Sequence, residues 1–430
     1  MKTELSAIAF KAQTHPKHRF ENLYGTLKSD ALYRGWLNLN KRSASGVDGV
    51  TAKDYEKQLP KNIHLLAQKL KHKSYRVNDV KRVYIPKSNG KQRPLGLPTL
   101  EDKIVQQSVS DLLQAIWEQE FLRNSYGYRP NKSAQQAVHS LKLNLQYGSY
   151  GYIVEADIKG FFDNMNHDWL MEMLRQRIAD ERLLGLINQW LKSRIVEPEG
   201  THHKSVSGTP QGGVISPVLA NIYLHYALDI WFDRLIKPSL DGKAMLIRYA
   251  DDFVVAFQYK REAEDFYNSL PERLEKFHLS VAPEKTSIKR FSRFSPSRRR
   301  SFEFLGFQFY WGTDFKGEQR LRRKTASRKH KEVLLELNSW IKENRHRRLN
   351  HLIPKLNQKV QGFRNYFALT DNSTSVGRIY DQVLNSLYKW LNRRSQRKSF
   401  TWSGMKSMLN HFGFQAMAVR QPRVAVDWYD

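Results

Sequence analysis

The spacing of hydrophobic positions changes between two periods along the chain. Apolar residues recur every three or four positions in several stretches, which predicts amphipathic helices, and short β-branched or aromatic runs bounded by turn residues predict strands. The predicted helices within the first 300 residues cover 100–120, 133–147, 167–193, 216–231 and 261–277, and the predicted strands cover 80–85, 152–157, 247–256, 279–288 and 302–310. Helices and antiparallel strands mixed in this way predict the α+β fold class.

Both ends of the chain have a helical pattern. Residues 1–73 are helical except at 45–51, SGVDGVT, where Thr51 is a suitable N-cap for the next helix. Beyond Trp311 the chain is basic, and helical spacing predicts helices, which cover 327–344, 351–367, 375–394 and 402–412. Three of these helices can bury their apolar stripes together and turn Arg and Lys outward.

The charge balance narrows the class of partner. The chain has 71 Lys and Arg against 42 Asp and Glu, a net charge of +29. Residues 285–398 hold 28 basic and 8 acidic residues, so about two thirds of the excess lies in a quarter of the chain. Self-repulsion of this size gives no folding advantage, and it indicates a polyanionic partner, with nucleic acid as the first choice.

The sequence contains no cysteine. Disulfides, thiolate catalysis and zinc sites with Cys ligands are therefore excluded, and we expect a reducing, cytoplasmic location. The first residues lack a charged stretch followed by an apolar one, and no run reaches 18 apolar residues. We therefore expect neither a signal peptide nor a membrane span.

The segment 247–256, IRYADDFVVA, contains the strongest candidate for chemistry. Its pattern predicts two short strands joined by a tight turn that carries Asp251 and Asp252. An acidic pair at a turn is most often only a solvated turn. With Asp157, at the end of the strand 152–157, the pair instead supplies carboxylates from two strands, which two-metal nucleotidyl transfer requires around a triphosphate. The backbone carbonyl of Ile158 would complete a near-octahedral ligand set.

Other residues suit an anionic substrate. Lys87 and Arg93 flank a predicted hairpin turn with an NG apex, where they would either contact a triphosphate or form a solvated basic hairpin. Gly212 and Gly213 precede a helix, so another molecule can approach the backbone and the helix N-terminus favours an anion. Arg129, in the turn YGYRP, is a candidate for contact with a template or nucleotide.

Taken in order, six blocks of the sequence resemble the reverse transcriptase family, and within it the bacterial group II intron type. The resemblance spans about 45–398, and its blocks are 86–98, ADIKGFFD at 156–163, TPQGGVISP at 209–217, YADD at 249–252, PEKT at 283–286 and FLGF at 304–307. It implies a right-hand polymerase. The implied boundaries are 1–152 for an N-terminal extension and fingers, 153–312 for the palm, 313–395 for a helical thumb or maturase-like X domain, and 396–430 for a short C-terminal extension.

The same resemblance assigns the site. Asp157, Asp251 and Asp252 would hold two Mg²⁺ ions, for which Mn²⁺ can substitute, and Lys285 would be the general acid for pyrophosphate. The residues implied for the nucleotide are Lys87, Arg93, Phe162 and Gln211, with Phe162 as the aromatic gate that excludes the 2′-OH and so implies use of dNTPs. The residues implied for nucleic-acid contact are Arg129, Gly212, Arg322, Arg323, Lys324, Arg364, Arg393 and Arg394.

The implied function is RNA-directed DNA synthesis on a structured RNA template, with a DNA primer or cDNA product, dNTPs as substrates and no membrane partner. The segments QGFRNYF at 361–367 and YKWLNRR at 388–394 resemble the maturase domain, which implies a role in intron splicing and mobility. Two alternatives stay open, a free-standing antiphage-defence enzyme that copies a dedicated non-coding RNA and a non-catalytic splicing maturase. No Cys or His cluster follows, so we expect no endonuclease domain.

Overall fold

The computed structural model describes residues 4–86, 90, 92–204, 208–209, 212–297, 299–314, 316–416 and 419. Two compact units are present, and neither is continuous in sequence. The first comprises Met1–Ser133, Ala156–Val255 and Arg261–Ser287, and the second comprises Ala134–Glu155, Ala256–Lys260 and Ile288–Asp430. Each unit is described separately below.

Helices make up most of the described chain. In chain order they are α1 Glu4–Thr14, α2 Ser29–Asn38, α3 Ala52–Glu56, α4 Leu59–Lys71, α5 Leu100–Trp117, α6 Ala134–Tyr147, α7 Phe161–Asn164, α8 His167–Arg175, α9 Glu181–Leu191, α10 Ser216–Leu224, α11 Lys260–Glu275, α12 Ser327–Asn344, α13 Leu349–Phe367, α14 Ser373–Leu391 and α15 Trp402–His411. Helix α10 continues into two π-helical turns, His225–Asp229 and Phe232–Ile236.

The described strands form three sheets. They are β1 Val80–Pro86, β2 Gln92–Leu97, β3 Tyr152–Asp157, β4 Arg194–Val196, β5 His202–Lys204, β6 Ala244–Tyr249, β7 Asp252–Phe257, β8 Ser287–Arg290, β9 Ser301–Phe304, β10 Phe307–Thr313 and β11 Gln319–Thr325. The strand orders are β2-β1-β4-β5, β6-β7-β3-β8 and β11-β10-β9. Antiparallel pairing joins β1 to β2 and β10 to both of its neighbours, whereas β1 and β4 are parallel. This mixture confirms the predicted α+β class.

In the first unit, α5 is the central helix. It begins after Thr99, whose hydroxyl accepts a hydrogen bond from the Asp102 backbone N–H and so caps the helix. Its predicted apolar stripe is fully buried; the stripe comprises Ile104, Val105, Val109, Leu112, Leu113 and Ile116. Helices α1 and α2 pack against α5, and this core supports the sheets that carry the site.

The predicted acidic hairpin is present. Strands β6 and β7 are neighbours in one sheet, and the turn between them holds Ala250 in the left-handed region, at φ of 56°. The strand residues are almost all buried, as the apolar flanks of the segment predicted. Both strands are otherwise largely apolar and buried, so the carboxylates of the hairpin lie in its turn and at the first residue of β7.

Two predictions of local structure in the first unit were wrong. The predicted helix 167–193 is two helices, because Asp180 accepts hydrogen bonds from the backbone N–H groups of Arg182 and Leu183 and starts α9 as a new helix. The predicted strand 279–288 is interrupted by a 3₁₀ turn at Pro283–Lys285. Proline lacks the N–H that a continuous strand ladder needs, so only the residues after it form β8.

The second unit contains the β9-β10-β11 sheet and the C-terminal helices. The predicted stripe of α14 is buried at Val376, Ile379, Val383, Leu387 and Leu391, and its sixth residue, Leu384, is half-buried. The prediction that the chain beyond Trp311 is only helical was wrong for β11. In that strand Leu321, Arg323 and Thr325 are buried and alternate with more exposed residues, and the arginine among them disguised the two-residue period.

In the part of the chain that the structure describes, no helix combines the length and apolar character needed to cross a bilayer.

Candidate active site

A cavity of about 450 Å³ lies in the first unit where several predicted site residues come together. It is bordered by the ends of β2 and β3, the turn between β6 and β7, and the start of α7. The predicted residues that line it are Asp157, Ile158, Asp251, Lys285, Arg93, Phe162 and Gly212. The side chains of Asp157 and Asp251 thus share one concavity although they lie 94 positions apart in the sequence.

Asp157 ends strand β3 and forms an ion pair with Lys285 Nζ. The hydrogen bond to this carboxylate raises the pKa of Lys285 above its usual value, so the lysine stays protonated. About a quarter of the Asp157 side chain is exposed, compared with 60% of Lys285. The lysine can therefore leave the carboxylate and turn toward solvent or a ligand at little cost.

Asp251, at the tip of the hairpin, has a raised pKa. Burial is the main cause, and the negative charge of Asp157 adds to it, while Arg93 and Lys285 act in the opposite direction. The two carboxylates therefore interact electrostatically across the cavity. Because a cation between them would remove both the desolvation penalty and the repulsion, this pair has the chemistry of a cation site.

The fit to a divalent metal ion is partial. Asp157 and Asp251 supply hard oxygen ligands to one cavity, and Ile158 lines the same wall with its backbone. Asp252 opens strand β7 and does not line the cavity. Within the described residues, no three His, Cys, Asp or Glu side chains are arranged to hold a metal. The structure thus brings together two of the three predicted carboxylates.

Aromatic rings lie beside the carboxylates. Phe162 is in the first turn of α7, and its ring packs edge-on against Tyr128 with 6.4 Å between centroids. Burial raises the pKa of Tyr128, with a contribution from the charge of Asp251 and an opposing one from Arg93. Arg93, Phe162 and Tyr128 therefore all lie close to the acidic turn, where a nucleotide would present phosphate and sugar.

The glycine turn supplies one wall of the cavity. Gly212 adopts φ of 114°, and a Cβ built on it would lie 2.7 Å from the carbonyl oxygen of Gly96. Only glycine fits this conformation and this close approach to β2. The predicted nucleotide contacts Lys87 and Gln211 lie outside the described residues.

A buried network under the acidic turn was missed by the sequence analysis. The Arg248 guanidinium is fully buried and pairs with Asp229, with Nε–Oδ1 and Nη2–Oδ2 distances of 2.8 and 2.5 Å. Its Nη1 donates to the carbonyl oxygen of Ala250 at 3.0 Å and to Asn221 Oδ1 at 3.2 Å. The signal in the sequence was a single arginine inside the apolar strand β6. Arg248 therefore holds the residue that precedes Asp251.

Gly127 belongs to the same network. Its carbonyl oxygen accepts a hydrogen bond from Asn221 Nδ2 at 2.7 Å, and a Cβ at this position would lie 2.3 Å from the backbone nitrogen of Ala250. The absence of a side chain lets this loop pack directly on the acidic turn. The turn is thus held from both sides, by Arg248 and by the backbone at Gly127.

Arg129 contacts protein rather than the cavity. Its guanidinium pairs with Glu118 at 2.9 Å and donates to the carbonyl oxygens of Leu122 and Ser125, and only 7% of the side chain is exposed. The loop that it holds pairs with β6 through Ser125 and Arg248. In this structure Arg129 therefore positions a loop next to the site, and its predicted contact with nucleic acid remains a prediction.

The predicted nucleic-acid residues of the second unit occupy three different settings. Arg322, Arg323 and Lys324 lie on β11. Arg364, on α13, donates to the side chain of Gln361 at 3.3 Å. Arg393 stacks over Trp390 and Arg394 donates to the Arg347 carbonyl oxygen, just after the end of α14.

Comparison with known proteins matches two consecutive families. Residues 85–309 match the family described as "Reverse transcriptase (RNA-dependent DNA polymerase)", and residues 330–408 match "Group II intron, maturase-specific domain". The first match covers more than half of the chain and includes every carboxylate of the candidate site.

Similar proteins carry related descriptions. The chain is 37% identical to "Group II intron-encoded protein LtrA" of Lactococcus lactis subsp. cremoris over 51% of this chain and 37% of that protein. It is 38% identical to "Protein YkfC" of Escherichia coli (strain K12) over 47% of this chain and 53% of that protein. An "Uncharacterized 91 kDa protein in cob intron" of Schizosaccharomyces pombe is 36% identical over 43% of this chain and 22% of its own length.

The matched stretches span about half or less of the length of these relatives. The resemblance inferred from the six sequence blocks is nevertheless confirmed by the family match, because the match encloses all six blocks. The chain belongs to the reverse transcriptase family, and its C-terminal part carries a group II intron maturase-specific domain.

Proposed function

We propose that the chain is an RNA-directed DNA polymerase that makes cDNA from a structured RNA by two-metal nucleotidyl transfer. The observation that carries the proposal is the cavity in which Asp157 and Asp251 face each other beside Arg93 and Phe162. A shared pair of carboxylates, a cation for phosphate and an aromatic ring for the sugar are the parts that this reaction needs.

Each residue has a distinct role in the proposed reaction. Asp157 and Asp251 would hold the metal ions, and Asp252, the third ligand implied by the resemblance, would have to reach them from the start of β7. When bound, two Mg²⁺ ions would activate the primer 3′-hydroxyl and stabilise the pyrophosphate leaving group. Arg93 binds the triphosphate. Lys285 carries the proton that the leaving pyrophosphate takes up, because its pKa is raised and it remains protonated at neutral pH.

Phe162 selects the sugar. Its ring is held against the rings of Phe161 and Tyr128, so it cannot move aside freely when a nucleotide enters. A 2′-hydroxyl would meet this ring, which gives selection for dNTPs. We expect Phe162→Val to increase rNTP incorporation at least tenfold relative to dNTP incorporation, and unchanged sugar selection would show that another residue is the gate.

The parts of a right-hand polymerase follow the proposed boundaries. Residues 1–152 are the N-terminal extension and fingers, 153–312 the palm, 313–395 the thumb or X domain, and 396–430 a C-terminal extension. The basic residues of the thumb bind RNA or an RNA–DNA duplex through backbone phosphates. This part of the proposal rests on the concentration of positive charge at 285–398.

The test is Mg²⁺-dependent incorporation of dNTPs on an RNA template. We expect Asp251→Ala/Asp252→Ala to lower the rate by more than a thousandfold while RNA affinity stays within twofold. The matched control is Asp241→Ala/Asp265→Ala, which removes two exposed carboxylates from the same unit. Retained synthesis in the first variant would refute the site, and equal loss in both variants would indicate a general effect of charge.

A second function is favoured by the maturase-specific match at 330–408. We propose that the same chain assists splicing of the intron that encodes it. Splicing depends on RNA binding rather than on nucleotidyl transfer by the protein, so the double-Asp variant should splice a precursor RNA normally while it fails to make cDNA. If splicing is intact and wild-type protein makes no cDNA, the chain is a non-catalytic maturase.

A further inference from the structure

The second unit contains a concavity of about 650 Å³ whose lining is strongly basic. Strand β11, helix α6 and the first turn of α14 form its walls, and it shares no residue with the cavity of Asp157 and Asp251. Its cations are Lys142, Arg320, Arg322, Arg323, Lys324 and Arg378. Asp371 is the single carboxylate among the residues that line it.

Only part of this charge is neutralised within the protein. Asp371 pairs with Arg323 at 2.9 Å and with Lys142 at 3.1 Å. Arg320 pairs with Asp314 at 3.1 Å. Within the described residues, the three other cations of the lining form no ion pair with a carboxylate.

These three cations are Arg322, Lys324 and Arg378. Lys324 Nζ lies 5.3 Å from the centroid of the Tyr310 ring, and Arg322 donates to the carbonyl oxygen of Thr313. Both contacts leave the positive charge uncompensated. Because Asp371 is shared by two cations, the concavity keeps an excess of about four positive charges in a partly enclosed space, where they attract anions more strongly than in open water.

Arg323 is the buried arginine among the residues that line this concavity. The residue is 5% exposed, and its Nη1 has no hydrogen-bond partner among the described residues although its Nε and Nη2 bind Asp371. A buried N–H without an acceptor is unfavourable, and this nitrogen is itself shielded from solvent, so a ligand oxygen would reach it only if the wall of the concavity shifts. The Asp371 carboxylate fixes the guanidinium of Arg323, which lines the concavity.

The first turn of α14 adds donors. Thr370, Ser373, Thr374 and Ser375 line the concavity with small hydroxyl side chains. The N-cap residue Asn372 makes no capping hydrogen bond, because its side chain binds Thr325 instead. A 3₁₀ turn, Thr370–Asn372, leads directly into this 19-residue helix, and the helix dipole favours an anion at this end.

On the basis of the RNA binding proposed above for the basic residues of the thumb, we infer that this concavity binds a phosphate group of RNA through Arg323, Arg322, Lys324, Arg378 and the start of α14. Phosphate is the anion that suits the site, because planar guanidinium groups bind its oxygens in pairs and hydroxyls and helix amides donate to the others. The volume accommodates about a nucleotide with its phosphate rather than a duplex. A free polyphosphate has the same chemistry, so the test separates the two sources.

The test measures equilibrium binding of a fluorescent single-stranded RNA without dNTPs or divalent ions. Failure of polymerisation would therefore leave it unaffected. The variant is Lys324→Gln/Arg378→Gln, which removes two cations that make no ion pair in the described structure. The matched control is Arg397→Gln/Lys406→Gln, which removes two exposed cations of the same unit that lie outside the proposed thumb and do not line the concavity.

We expect the first variant to bind RNA at least tenfold more weakly and its dependence of log affinity on log salt to be shallower by about 0.7, since one phosphate contact on a single strand contributes about 0.7. The control should lose less than twofold. Equal losses in the two variants would overturn the inference, because they would show general attraction to a basic surface.

Inorganic tripolyphosphate identifies the source of the phosphate. If RNA fills the site, tripolyphosphate at millimolar concentration displaces RNA only partially and the first variant shows its defect in RNA binding. If tripolyphosphate binds wild-type protein directly, and the first variant loses that binding with unchanged RNA affinity, the ligand is a free polyphosphate and the assignment to RNA is wrong. The variant Arg323→Met/Asp371→Leu removes both members of the buried pair, so neither is left without its partner. We expect it to show the same defect in RNA binding.

Discussion

The two units each contain a buried Arg–Asp pair, and the pairs differ in how the guanidinium is satisfied. Arg248 and Asp229 are fully buried, and every nitrogen of the guanidinium binds an oxygen of the protein. Arg323 and Asp371 are 6% and 11% exposed, and Arg323 Nη1 has no partner in the described residues. We call the first pair closed, and the second open, because one donor of Arg323 lacks an acceptor and the residue lines a concavity.

The difference separates a positioning role from a binding role. A closed pair adds nothing to recognition, but its geometry fixes the Ala250 carbonyl and thereby the acidic turn. The open pair leaves one buried donor without an acceptor, on a residue that lines a concavity. The same two residue types thus build a rigid support in one unit and a candidate phosphate site in the other.

The largest change in the free energy of unfolding should come from breaking the closed pair. Asp229→Asn leaves the Arg248 charge buried without compensation, which costs about 3–5 kcal/mol. Asp371→Asn should cost about half as much, because Arg323 borders a concavity that water can reach. Urea unfolding of both variants gives the comparison, and Arg248→Met/Asp229→Leu should recover most of the loss. Equal costs at the two aspartates would remove the distinction between the pairs.

The next effect tests whether the closed network sets the geometry of the acidic turn. Gly127→Ala places a Cβ 2.3 Å from the Ala250 nitrogen, so the turn must shift. A displacement near 1 Å at a catalytic group can lower the rate about a hundredfold. The control is Gly185→Ala on α9, where a Cβ meets nothing within 4 Å. Primer extension measures both, and normal activity of Gly127→Ala would show that the turn tolerates displacement.

Much of the acidic site could be predicted from the sequence, whereas the two Arg–Asp pairs could not. The acidic hairpin, the strand that ends at Asp157 and the glycine turn have local signals, because turn residues and alternation act within a few positions. We inferred that these segments come together at one site from the order of the six family blocks, not from a local signal. Asp252 shows the limit of such reasoning, because a motif gives the residue type at a position but not the direction of its side chain.

The closed pair and the open pair had no local signal of that kind. Arg248 and Asp229 are 19 positions apart and lie on a strand and a π-helical turn, so only the packed structure shows that they pair. Strand β11 was missed because its buried positions include Arg323, which a hydrophobicity pattern counts as exposed. Charged residues buried through pairing are invisible to periodicity.

A smaller change in the free energy of unfolding should appear when the pH is lowered, because His225 lies near the closed pair. Burial lowers the pKa of His225 to about 4, with Asp229 opposing the shift and Arg248 adding to it. Since the imidazole is neutral when folded and gains a proton in the unfolded chain below about pH 6.5, the free energy of unfolding should fall as pH drops from 6.5 to about 4.

The expected loss between pH 7 and 5 is on the order of 1–2 kcal/mol. His225→Leu should reduce this slope, and urea unfolding at several pH values measures it. The matched control is His64→Leu, an exposed histidine on α4 of the same unit. An unchanged slope in His225→Leu would mean that His225 takes up its proton without unfolding, and the region of the closed pair would then be accessible to water.

The smallest effect comes from replacing each arginine with lysine. Arg248→Lys keeps the charge but loses the paired contact with Asp229 and the hydrogen bond to the Ala250 carbonyl oxygen. It should therefore lower the free energy of unfolding more than Arg323→Lys does. Arg323→Lys loses less, because Nη1 has no partner to lose, and we expect a change below about 1 kcal/mol in unfolding. The same variant should still weaken RNA binding severalfold, because lysine cannot bind Asp371 and a phosphate oxygen together in the fork geometry of arginine. Stability and RNA affinity that fall together in Arg323→Lys would show that this pair is a structural support like the first.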